Sequence, residues 1–164
     1  MTYDFTNIPD DNIDEVLRLG EETLNGTVSL AIAQDQRATS LMGIFGAAAV
    51  ALLGVSGALI SSTSPNLPLI YSSFTIAVGF FLVSLVFGWS GRPSDFYVAG
   101  YEPKQIHKST GDISITKKYV CEDIQIRIDS NRIHLANAAW SVKVGGILAI
   151  LSILLGAGVF LVIR

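Results

Sequence analysis

Between Arg37 and Arg92 lie 54 consecutive residues without an Asp, Glu, Lys, Arg or His. A helix crossing the hydrocarbon core of a bilayer needs about 20 mostly apolar residues. The run is too long for one crossing and right for two. Pro65 and Pro68 fix φ and remove backbone donors inside the stretch 61–68, which marks the place where the chain turns. Span one is expected over 39–60 and span two over 69–88, an antiparallel hairpin with a tight connection. A second uncharged run, of 20 residues, separates Lys143 from Arg164. It reads as a third span over 138–163, with Lys143 near its start, where a long apolar stem lets the ammonium reach the interface.

Composition agrees with this reading. Half of the 164 residues are hydrophobic and only 15% are charged, against roughly 25% in soluble domains. The expected fold class is an all-α integral membrane protein: one tight transmembrane hairpin and a C-terminal span, with amphipathic cytoplasmic helices. Four segments follow: an acidic amphipathic helix over 1–37, the hairpin over 38–90, a cytoplasmic loop and amphipathic helix over 91–137, and the last span over 138–164. Fourteen acids against eleven bases give a net charge of −3, so there is no basic field to capture nucleic acid. The expected partners are the bilayer, and either itself or other membrane proteins. Nothing at the N-terminus resembles a cleaved signal, since residues 1–37 hold eight acids and two bases, so insertion is expected to use internal spans.

Outside the spans, Asp10 or Asp11 is placed to cap a helix, and Asp14 and Glu15 stand in its first turn, where the helix dipole favours acids. Ile13, Val16, Leu17, Gly20, Leu24, Val28 and Ala31 then recur at three- and four-residue steps, one apolar stripe of an amphipathic helix. Gly20 and Gly26 weaken it, with a break at Asn25-Gly26 open as an alternative. No stop signal separates this helix from span one. Residues 89–112 read as a loop because Gly91, Pro93, Gly100, Pro103 and Gly111 interrupt every period. After Asp112, Ile113, Ile115, Ile124, Ile126 and Ile128 alternate as in a strand. Val120, Ile124, Ile128, Asn131, Leu135 and Ala138 fit a helical stripe instead. A helix from about Thr116 is preferred, because no breaker separates it from the third span.

Orientation follows from Lys and Arg near the span ends. The 61–68 turn has none. Arg92, Lys104, Lys108, Lys117, Lys118, Arg127, Arg132 and Lys143 all fall in 92–143. The N-terminus is therefore expected in the cytoplasm of a bacterial inner membrane and the C-terminus outside, with Trp89 and Trp140 at the cytoplasmic interface.

Two rows of small residues stand out. Gly43, Ala47, Ala51, Gly54 and Ala58 follow one another along span one, and Gly145, Ala149, Ser152 and Gly156 along span three. Small residues at such spacing let helix backbones approach closely where no hydrophobic effect drives association. They read either as an oligomer interface or as packing of spans one and three of the same chain on each other. Ser56, Ser72, Ser73, Thr75 and Ser84 line a pore on one reading and bond to their own helix backbone on the other. No ionisable group lies inside spans one and two, which argues against a proton relay.

Below the membrane the two amphipathic segments carry opposite charge. They are expected to pair as a stalk involving Asp35, Arg37, Asn131, Arg132 and Lys143, with Asp35 close to Arg132 or Lys143. Cys121 is a single thiol beside Glu122 and Asp123, an unreactive setting. His107 and His134 have no nucleophile at a convincing spacing. There is no phosphate loop, metal spacing or Gly-x-Ser-x-Gly elbow, so no cofactor and no catalysis are expected. The function expected is helix association, as an accessory or scaffold subunit or as a homo-oligomer. In the order of its parts the chain resembles small membrane effectors of bacterial antiphage systems, a likeness of arrangement that no motif carries. It implies the alternative, spans that open or disrupt the bilayer when the cytoplasmic helices rearrange.

Overall fold

The structure, a computed structural model, describes residues 9–91, 96–100 and 113–164. Among the described residues there are three helices: α1 (Asp10–Ile60), α2 (Leu67–Ser90) and α3 (Ile113–Ile163). All three are long and apolar enough to cross a membrane, and no strand occurs among the described residues. At 1.5 Å per residue α1 and α3 are each about 76 Å long.

Helix α1 runs unbroken through Asn25-Gly26. A helical glycine costs about 1 kcal/mol against alanine, and here Leu24 and Thr27, which flank the Asn25-Gly26 pair, are both buried, so packing holds the turn together. The hairpin turn ends at Asn66, whose side-chain oxygen accepts from the Leu69 N–H at 3.3 Å. Pro68 falls in the first turn of α2, where a missing N–H leaves no intrahelical bond unmade. That is why α2 starts at Leu67, two residues ahead of the expected span. Helix α3 starts at Ile113, and the strand alternative for 112–128 does not form. Ile124 and Ile128 are buried one turn apart, while Ile113, Ile115 and Ile126 are exposed. The isoleucine alternation is therefore incidental to a helical face.

The described residues fall into two compact units, one within 1–33 and 94–136, the other within 34–93 and 137–164. Both α1 and α3 contribute to each, so the units are not consecutive segments of chain. In the first unit α1 and α3 run parallel: Asp14 pairs with Lys117 at 2.6 Å, and Thr27 bonds Asn131 at 3.1 Å. Buried positions on α1 are Ile13, Leu24, Thr27 and Ala31, and on α3 Cys121, Ile124, Ile128 and Asn131. From Leu24 to Ala31 and from Cys121 to Asn131 the steps are three and four residues, those of a coiled-coil seam. Gly20 belongs to it, since a Cβ there would stand 2.9 Å from the Ile124 side chain. In the second unit α2 is antiparallel to both other helices, with Ser73 against Ser56 and Ser84 against Met42 on α1, and Ser72 against Gly156 and Ser90 against Ala138 on α3.

Candidate functional site

The two small-residue rows are both in the second unit, and they do not meet. The α3 row is fully used within the chain, because Gly145, Ala149, Ser152 and Gly156 are all buried. Its partner is α2. A Cβ on Gly145 would stand 2.7 Å from the Phe87 ring, and one on Gly156 would run into Ile76. Gly79 on α2 answers the row from the other side, directly opposite Ser152. Phe87 in turn belongs to a cluster with Val83 and Ala149, flanked by Leu41, Phe45, Val142 and Leu148. Its ring stacks on Phe45 at 5.6 Å.

The α1 row has no such partner. Gly43, Ala47, Ala51, Gly54 and Ala58 are all exposed, and a Cβ on Gly43 or Gly54 would meet nothing within 4 Å. The face of α1 that packs on the chain is the opposite one, carrying Ala49 and Ser56. At 3.6 residues per turn, Ser56 stands about 200° around the helix from Gly54. The glycines of α1 and α2 that allow close approach include others than those of the row: Gly46 beside Ser84 and Gly88 beside Met42.

Hydroxyls tie the three helices together. Ser72 donates to the Gly156 carbonyl at 2.8 Å, Ser84 to the Met42 carbonyl at 2.9 Å, and Ser90 to the Ala138 carbonyl at 3.3 Å. Ser56 and Ser73 meet at 2.7 Å, and each also lies within reach of a carbonyl on its own helix. With one proton apiece, one hydroxyl gives its proton across and the other gives its own backward. Thr75 bonds only its own helix, through the Tyr71 carbonyl at 2.8 Å.

The residues expected at the stalk are placed differently from one another. Asn131 is buried in the first unit, with Thr27 and Tyr97 as its partners. Arg132 is exposed and reaches Asp129 on its own helix at 3.7 Å. Asp35, Arg37 and Lys143 form no ion pair among the described residues; Asp35 is half-buried and the other two are exposed. Among the described residues an ion pair does join the two helices elsewhere, Lys117–Asp14. Arg18 holds Glu15 at 2.7 Å, and this hydrogen bond, with the nearby charge, keeps the exposed Glu15 carboxyl below its usual range. Burial pushes the Cys121 thiol up, toward the protonated, unreactive form.

His134 lies edge-on to Phe96, with ring centres 5.9 Å apart. His107 lies outside the described residues. Among the described residues no three His, Cys, Asp or Glu side chains gather as a metal site would require. No family model, curated protein or solved structure matches the chain.

Proposed function

We propose that this chain is a three-span protein of a bacterial inner membrane, without catalytic activity, that works by helix association through the outer face of α1. Its N-terminus lies in the cytoplasm and its C-terminus outside, as the Lys and Arg of 92–143 favour. One observation carries the reading. Of two rows of small residues, the α3 row is consumed by packing on α2, and the α1 row is left bare on the side of its helix turned away from the chain. Lipid tails gain little from such a face, whereas another helix gains close backbone contact. The protein is then an accessory or scaffold subunit of a membrane assembly, or a homo-oligomer.

The rival, a pore or bilayer-disrupting effector, draws no support from the hydroxyls that suggested it. Ser56, Ser72, Ser73 and Ser84 are engaged in bonds between helices.

Native mass spectrometry of the protein extracted in mild detergent tests the proposal, on the parent chain and on Gly43→Leu and Gly54→Leu. The parent is expected in a particle of fixed stoichiometry, and the variants as dissociated, folded chains. Other polypeptides in the particle make it an accessory subunit; copies of this chain alone make it a homo-oligomer. A parent that is monomeric, or a particle that survives both substitutions, sinks the reading.

A further inference from the structure

The first unit carries a set of contacts that the association reading does not use. Residues 96–100 form no helix and lie against the α1–α3 pair, centred on Tyr97. The Tyr97 N–H donates to Asn131 Oδ1 at 3.1 Å, and the Tyr97 carbonyl accepts from Asn131 Nδ2 at 3.0 Å. One primary amide thus pairs both backbone polar groups of one residue, as a neighbouring strand would. The second proton of the Asn131 amide goes to Thr27 Oγ1 at 3.1 Å, and Thr27 donates onward to the Leu24 carbonyl at 2.7 Å. Asn131 is wholly buried and both its donors are used.

The other holds on the segment come from the same face of α3. The Arg127 guanidinium, one turn before Asn131, lies 5.6 Å from the centre of the Tyr97 ring while it also holds Asp123 at 2.6 Å. His134, one turn later, meets Phe96. Ala99 rests on the cluster of Leu24, Ile124 and Ile128. Gly100 has φ +118° with nothing within 4 Å of where a Cβ would stand. The chain leaves the segment through a conformation that only glycine adopts without strain.

We propose that Phe96–Gly100 is a latch, which lifts off the α1–α3 pair as a local event while both helices stay folded. Asn131 is the positioning residue that sets how often it lifts. The reasoning is one of unequal holds. The helices keep their own backbone bonds and the cluster of Leu24, Ile124 and Ile128 with Leu17 and Val120 whether the segment is seated or not. Among the described residues the segment is held by two neutral hydrogen bonds, one cation–π contact, one ring edge and one small side chain, each largely replaceable by water. Such a minor state is populated on the order of 0.1–10%. In it the edge of the seam beneath Ala99 is uncovered, and the Asn131 and Thr27 side chains pass to water. The two-state element is independent of whether the outer face of α1 finds a partner.

Hydrogen exchange on the full chain in lipid nanodiscs tests this, read at the Tyr97 amide and at the amides of 20–27 and 124–131. In the parent, Tyr97 is expected to exchange far faster than the helix amides. Asn131→Ala removes the clamp and should speed Tyr97 by about tenfold or more. Gly100→Ala touches no helix and strains only the seated segment, so it should speed Tyr97 by about tenfold and leave the helix amides within about twofold of the parent. The latch is refuted if the helix amides accelerate in step with Tyr97 in Gly100→Ala, since segment and helices then open as one unit. It is equally refuted if Tyr97 is unmoved in both variants.

Discussion

Gly156 and Gly54 both sit in runs of small residues three and four apart. Yet a methyl group added to the first would run into Ile76, and one added to the second would meet nothing within 4 Å. The difference lies in what stands opposite. Along α2, Phe87 and Ile76 project toward Gly145 and Gly156, large side chains filling the gaps that glycine leaves. No described side chain answers Gly43 or Gly54. A row of small residues is half of an interface, and the other half is a row of knobs. In α3 both halves are in one chain; in α1 no described residue supplies the knobs, and the proposed association would have another chain supply them.

The largest effect should come from filling a gap already occupied. In Gly145→Leu the new side chain begins 2.7 Å from the Phe87 ring, inside the cluster that joins all three helices. Overpacking a tight core costs about 1–3 kcal/mol and sometimes more, and four added carbons put this variant at the upper end, about 3 kcal/mol. Unfolding in mixed micelles of rising SDS content reads it directly. The same leucine at Gly54 meets open space and replaces a helical glycine, so it should leave that midpoint unmoved or raise it by up to about 1 kcal/mol. Equal losses at the two sites would mean that the α1 row is packed within the chain after all.

A smaller contrast separates hydroxyls that bond across helices from those that bond backward. Ser72 donates to a carbonyl on α3, whereas Ser40, exposed on α1, donates to Gln36 of its own helix at 2.8 Å. Hydrogen bonds between membrane helices are worth about 0.6 kcal/mol on average and at most about 1.7. Ser72→Ala should lose an amount in that range on the same SDS scale, and Ser40→Ala none that the assay resolves. If both are silent, close packing of α3 on α2 rests on shape alone.

The two uncharged runs and the prolines make three long helices legible in the sequence. Both small-residue rows are legible in the sequence for the same reason, glycine and alanine at helical steps, and the structure shows one of them, on α3, as a packed surface. Which row is already taken is not legible in the sequence. The knobs on α2, Ile76 and Phe87, are apolar residues in a span apolar on every side, so nothing in their pattern marks them as facing protein rather than lipid. In the first unit a stripe counted by hydrophobicity takes Val28 and passes over Thr27, the more deeply buried of the two. Thr27 is buried because Asn131 supplies its hydrogen bond across 104 positions of sequence. Asn131 is a polar residue ahead of the expected third span, but its partner in 96–100 lies in a stretch broken by glycine and proline, where no period points anywhere. Long-range polar pairs are set by the fold and leave no periodic trace.

The finest test uses a single methyl group. Within a helix interior, replacing glycine by alanine gains about 0.5–1 kcal/mol when nothing obstructs the new carbon, because the unfolded chain loses freedom. Gly54→Ala meets that condition. In a detergent that separates the chains, its SDS midpoint should rise by an amount in that range. Gly156→Ala should fall, since its methyl group is driven into Ile76 and stands 3.2 Å from the Ser72 carbonyl. Opposite signs from the same chemical change would give each row its own environment, free of any argument about leucine being too large. In the milder detergent that preserves assemblies, Gly54→Ala gains the same chain stability and gives up some backbone approach to its neighbour, so its advantage over the parent should shrink. An advantage that stays the same in both detergents would mean that nothing is seated on the α1 row at Gly54, and the association surface would have to be sought on another face.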